Sequence, residues 1–197
     1  MINASQLERI KEFALDLDWN RAFGGKSKGN KHLFRVVSLV KKILEEEEFL
    51  QEVDPSIIEA GAWLHDSGLA KDIAGDALCN IEEVTSFLKS IDINEKDISL
   101  IRHCIEAHDG HSSALSIEAK IVHDADTLDK MGPLGIIRET WKRSQMGWTS
   151  EKIASHLKAH LERRKNLLHT EIAKMMAEEL NSDLIPFFSV LERQIGE

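Results

Sequence analysis

Cysteine, proline, basic charge and long apolar runs are all scarce in this chain, and each scarcity narrows the reading. Its 197 residues hold 2 cysteines, Cys79 and Cys104, far apart and without CxxC spacing. In an unsecreted protein such a pair is most simply two reduced core thiols. With 3 Pro and 11 Gly, and no Ser/Gly-rich or Pro-rich tract between periodic segments, nothing reads as an interdomain linker. No internal repeat stands out. No apolar run approaches the length of a membrane span. The opening Met1-Ile2-Asn3-Ala4-Ser5 lacks the basic-then-apolar order of a signal peptide, so the expected location is the cytoplasm. Lys and Arg number 25 against 34 Asp and Glu, a formal net charge of -9. That balance argues against a surface for long nucleic acid, though a small anion needs only a local basic pocket.

What is present fits one compact helical domain over residues 1–197. Apolar residues make up 42% of the chain, enough for a substantial core. Helical periodicity recurs from end to end and alternating strands are absent, so the fold class is all-α. Ser5 is the expected cap of a first helix through Leu7, Ile10, Phe13 and Ala14. A loop from Phe23 to Lys31 follows. A second helix carries Leu33, Val36, Val37, Val40, Ile43 and Leu44 before an acidic end at Glu45 to Glu48. Asp54-Pro55 is a strong helix start, and the segment from Ile57 to Leu64, with Glu59 its one charge, reads as buried nearly all round. Asn94 caps a helix to about His108, Ser116 another to about Lys130, and Gly132-Pro133 breaks the chain. Further helices are expected from about Leu134, from Thr149 or Ser150, and from about Thr170 onward with a break near Pro186.

Three places put polar chemistry on these apolar helices. His32 shares a face with Val36, Leu39 and Ile43. Taken alone, it is better read as a core histidine bonded to a carbonyl. His65-Asp66 ends the most apolar helix, and leaving an imidazole and a carboxylate there is costly unless both are satisfied. A hydrated Asp66 is one solution and a cation is the other. The third place is Ile121-Val122-His123-Asp124-Ala125-Asp126-Thr127-Leu128-Asp129. A solvated face is expected for His123 and Asp129, while periodicity does not choose between Asp124 and Asp126.

The order His, then His-Asp, then Asp on successive helices resembles the HD superfamily of metal-dependent phosphohydrolases. Asn30-Lys31-His32-Leu33-Phe34-Arg35-Val36 is similar to that family's opening helix. Ala62-Trp63-Leu64-His65-Asp66-Ser67-Gly68 resembles its Ala-x-Leu-His-Asp-x-Gly turn, and Glu118 to Asp129 resembles its last motif. There the ligand is the Asp of Ala-Asp-x-Leu, which selects Asp126. Gly135-Ile136-Ile137-Arg138 and Leu168 to Ala173 look like the small single-domain branch. The resemblance implies an HD-like helical bundle, with its core at about 29–131 and additional packed helices over 132–197.

It also implies metal ligands His32, His65, Asp66 and Asp126. Two imidazoles and two carboxylates suit Mn²⁺, Fe²⁺, Co²⁺, Ni²⁺ or Zn²⁺, with Mg²⁺ a further candidate, better than Ca²⁺. One ion is expected, activating water to hydrolyse a phosphate ester or anhydride, with a nucleotide the leading substrate class. Asp66, His103 and His108 are the catalytic candidates; Arg35, Lys71 and His108 are candidates for phosphate contact. Against these stand surface histidines, a solvated Arg35, and the late position of Lys71, three residues after Gly68. A second ion would need His103 and His108, and with two irons the same scaffold supports an oxygenase. A non-catalytic metal- or nucleotide-binding module is the third reading. The loop Gly24 to Lys31 fails the P-loop pattern; an ordinary flexible loop is preferred to a basic lid. The apolar stripe from Leu157 to Phe188 reads as core, and any uncovered face would support a homodimer.

Overall fold

The computed structural model describes residues 1–46, 53–72, 77–182 and 184–196. Among the described residues all regular structure is helical, as the periodicity predicts. The α-helices are α1 (Ala4–Asp16), α2 (His32–Glu46), α3 (Pro55–Leu64), α4 (Ile81–Ser90), α5 (Glu95–Ala107), α6 (Ile117–Asp129), α7 (Gly132–Gln145), α8 (Ser150–Lys165), α9 (Glu171–Ser182) and α10 (Leu184–Ile195). Among them, no helix is long and apolar enough to cross a membrane. The chain divides into two compact units, Met1–Asp126 and Thr127–Glu197.

In the first unit α3 is the central rod, packed against α1, α2 and α5. Its start follows from Asp54, whose Oδ1 accepts the Ser56 N–H at 2.9 Å, with Pro55 in the first turn where a missing N–H costs nothing. Ile57, Ile58 and the run Ala60 to Leu64 are all buried, the all-round burial expected of so apolar a segment. Gly61 permits the approach to α5: a Cβ there would lie 2.7 Å from Cys104 Cβ. Asn94 caps α5 by accepting the Asp97 N–H at 3.0 Å, and Ser116 Oγ accepts the Ala119 N–H at 3.2 Å to start α6.

Several expectations are corrected. Asn3, not Ser5, caps α1, because Asn3 and Gln6 exchange reciprocal side-chain-to-backbone bonds of 3.0 Å. Helix α4 has no counterpart in the sequence reading; it buries only Val84 and Leu88, too short a stripe to stand out. Cys79 is exposed, its thiol donating to the Gly68 carbonyl at 3.1 Å, whereas Cys104 is the buried core thiol. Burial pushes the Cys104 thiol pKa up. His123 and Asp129 are not on a solvated face, since α6 is buried continuously from Ile121 to Asp129. Their polar groups are paired instead: His123 with Asp124, and Asp129 with Arg138. Glu47 and Glu48, at the expected acidic end of α2, lie outside the described residues.

In the second unit Ile153, Leu157 and Leu161 of α8 form a core with Leu184 and Phe188 of α10. Thr149 Oγ1 caps α8 through the Lys152 N–H. Helix α7 starts at Gly132, two residues earlier than expected, and takes Pro133 into its first turn. A Cβ on Gly135 would collide with the Lys130 carbonyl, so only glycine fits the tight entry to α7. Pro186 lies in the first turn of α10, so the break falls before it, where a missing N–H is tolerated.

Candidate metal centre

Four backbone settings in the first unit aim side chains at one point. His32 opens α2, its N–H held by Asn30 Oδ1 at 3.2 Å. The loop before it, expected to be flexible, is fastened: Trp19 Nε1 donates to the Asn30 carbonyl at 2.9 Å, and the buried Ser27 hydroxyl donates to the Asp18 carbonyl. His65 and His108 cap α3 and α5 in the same way. Each bonds through Nδ1 to the carbonyl three residues back, at 2.8 Å to Ala62 and 2.7 Å to Ile105. Those carbonyls belong to last turns and lack intrahelical partners. Each therefore draws the ring proton onto Nδ1 and leaves Nε2 as a lone pair facing inward. Asp126 approaches from the last turn of α6 and is fully buried.

The resulting distances are close to those between donors that share one ion. His32 Nε2 lies 3.0 Å from His65 Nε2, 3.1 Å from Asp66 Oδ2 and 3.3 Å from Asp126 Oδ1. His65 Nε2 lies 3.6 Å from Asp66 Oδ2 and 3.4 Å from Asp126 Oδ1. Ligands bonded to one ion at about 2.1 Å stand roughly 3.0–3.5 Å apart at right-angled to tetrahedral geometry. Hydrogen bonding alone explains the set poorly. With its proton on Nδ1, His65 offers no donor toward His32, Asp66 or Asp126. The donor set of two imidazoles and two carboxylates therefore fits a divalent cation, and His32, His65 and Asp66 alone already satisfy the spacing for one.

The electrostatics agree. Burial lowers the His65 pKa, against the pull of Asp66 and Asp126. Burial works to raise the Asp66 carboxyl, but the imidazoles of His65, His108 and His32 outweigh it and hold it well below the usual carboxylate range. Asp66 thus enters the site ionised, with Oδ2 toward His32 and Oδ1 3.5 Å from His108 Nε2.

The remaining sequence candidates are distributed differently. His108 is buried beside Asp66 and is no surface histidine. His103 points to the start of α6, where its Nε2 accepts the Leu115 N–H at 3.0 Å and lies 3.5 Å from the Ser116 nitrogen. Arg35 is half-buried one turn into α2, and Lys71 is exposed. His111 is an exposed loop residue. Asp124, the rival of Asp126, faces His123 at 3.2 Å. His156 and His160 stand outside the sequence candidates, although their four-residue spacing puts both on one face of α8.

Comparison with known proteins fits this geometry. The HD domain family model matches residues 30–131, more than half of the chain. The chain belongs to the HD superfamily. With that membership comes its class, metal-dependent phosphohydrolase. A curated relative, the uncharacterized protein YpgQ of Bacillus subtilis, is 29% identical over 174 residues, covering 83% of this chain and 82% of that protein. A solved structure from Lactobacillus plantarum superposes with a TM-score of 0.76 at 23% identity, covering 98% of each chain. The crystal structure of YpgQ in complex with ADP gives 0.74 at 24% identity, covering 98% of this HD chain and 97% of that one.

Proposed function

We propose that His32, His65, Asp66 and Asp126 hold one divalent ion, of Mn, Fe, Co, Ni, Zn or Mg, and that the chain hydrolyses a phosphate ester or anhydride of a nucleotide. The observation that carries this reading is the set of five donor separations between 3.0 and 3.6 Å around His32 and His65. YpgQ, solved with ADP, supports the nucleotide.

When bound, a divalent ion supplies Lewis acidity toward a phosphoryl oxygen and lowers the pKa of water to near neutrality. The chain's own groups do the rest. Asp66 links the ligand set to His108, whose Nε2 lone pair, 3.5 Å from Oδ1, is placed to take a proton from the attacking water, forming an imidazolium, and to pass it to the leaving oxygen. Arg35 and Lys71 are the cationic candidates for the remaining phosphate charge. His103 supports the site by holding the start of the helix that carries Asp126. A di-iron oxygenase is disfavoured, because it would need the His103 nitrogen that already accepts a backbone N–H.

A metal-stripped sample reloaded with each ion and offered nucleoside mono-, di- and triphosphates tests the reading. Ion-dependent phosphate release from one of these classes is expected. Release from none of them with any ion overturns the nucleotide assignment.

A further inference from the structure

A second gathering of ligand-type side chains lies wholly within the Thr127–Glu197 unit. Glu139 of α7 faces His156 and His160 of α8, and one ligand atom from each comes within 4.8 Å of the others. We propose that Glu139, His156 and His160 form a second divalent-cation site, a clip between α7 and α8 taking a borderline transition ion such as Zn²⁺.

Both histidines approach the Glu139 carboxylate. His156 Nε2 lies 3.0 Å from Glu139 Oε1, and His160 Nε2 lies 3.5 Å from Glu139 Oε2. The two contacts reach different oxygens of Glu139, so an ion here would sit against both carboxylate oxygens. The 3.5 Å contact is the informative one. Arg164 Nε donates to His160 Nε2 at 2.8 Å, so that nitrogen is an acceptor carrying no proton. With its one lone pair given to Arg164, Nε2 has no proton to offer the carboxylate, so its 3.5 Å approach to Glu139 Oε2 is not a hydrogen bond. Arg143 Nε bonds Glu139 Oε1 at 2.7 Å, using one of the carboxylate's several lone-pair directions and fixing its orientation. His160 is 2% exposed and Glu139 8%, while the His156 side chain keeps 24% of its surface and gives an entry path. Trp148 covers the site, its ring 5.2 Å from that of His156.

Arg164 also predicts a sign. Its guanidinium occupies the lone pair an ion needs, so it is a competitor and must turn aside when the ion binds. Removing it should tighten binding, whereas a purely hydrogen-bonded network has no reason to gain metal affinity.

The test is Zn²⁺ binding by equilibrium dialysis to the untagged full-length protein, with Co²⁺ absorption as the spectroscopic probe. Two ions are expected for the unaltered chain, and one each for Asp126→Ala and His156→Ala, so the two centres fail independently. His156→Ala should retain phosphohydrolase activity. Arg164→Ala should bind the second ion about tenfold tighter or better. Unchanged stoichiometry in His156→Ala overturns the site, as does equal or weaker second-ion affinity in Arg164→Ala.

Discussion

The two His-carboxylate clusters differ in where their polar groups find partners. At the first centre the partners are helix ends. His65 and His108 each give Nδ1–H to the carbonyl three residues back, at the point where α3 and α5 stop. In the second unit His156 and His160 sit inside α8, where backbone carbonyls are already taken by the helix. There Arg143 and Arg164 serve Glu139 and His160 instead. A helix end can preset an imidazole tautomer and leave its other nitrogen for a metal. A mid-helix imidazole needs a side-chain donor, which then competes for the same lone pair. On the proposed readings, the first cluster suits chemistry and the second suits holding α7 against α8.

The largest expected effects fall on the first cluster. Asp66→Ala or Asp126→Ala should reduce phosphate release to background and remove one ion from the purified protein, measured by elemental analysis and turnover. An Asp126→Ala protein that keeps both ions and activity would erase the distinction between the clusters. Next comes His108→Gln. If its Nε2 moves a proton, kcat should fall by roughly 10²–10⁴-fold with metal content unchanged. Loss of the ion would make it a ligand instead.

The gathering of ligand-type side chains in the first cluster was legible in the sequence through burial. His65 ends the most apolar helix, so its burial was foreseeable from Ile57 to Leu64, while Asp66, for which hydration and a cation both stood open, is half-buried; Asp54-Pro55 fixed where that helix begins. Asp126 was less legible. Helix α6 is buried from Ile121 to Asp129, so no apolar stripe distinguishes Asp124 from Asp126, and only resemblance chose between them. That same all-round burial defeated the expectation for His123 and Asp129, whose polarity is absorbed by Asp124 and Arg138. The partnership of Glu139 with α8 was beyond reach, because it depends on how α7 packs on α8 and on no local pattern.

Acid sensitivity should separate the clusters at a more moderate scale. Burial, followed by Arg164, lowers the His160 pKa from 6.5 to about 3. Between those values the unfolded chain binds a proton that the folded one refuses, so stability falls as pH drops from about 6.5 toward 3, by at most about 1.4 kcal/mol per pH unit. Burial pushes the Glu139 carboxyl up, but His160, Arg143 and His156 bring it from 4.5 to about 2. Its contribution is present above 4.5 and is lost as pH falls toward 2. Denaturant unfolding with chelator present, at several pH values from 7 to 4.5, should show this slope. His160→Gln should flatten the part above pH 4.5, and an unchanged slope would place the acid sensitivity elsewhere.

The smallest effect concerns His103, which stands next to the first centre in sequence but not in contact pattern. Its Nε2 accepts the Leu115 N–H from the chain that leads into α6. Such a bond acts like a helix cap donated by a neighbouring helix, and removing a cap costs about 1 kcal/mol. For a chain of this size that corresponds to a Tm lower by roughly 2–4 °C. His103→Ala should therefore shift the melting temperature by a few degrees and leave KM nearly unchanged. Any loss of kcat should be small and recoverable by lowering the assay temperature, because it would arise from loosening the helix that carries Asp126. A large temperature-independent fall in kcat with an unchanged Tm would reverse the assignment. It would put His103 at the phosphate with His108, and the cap at α6 would then be incidental.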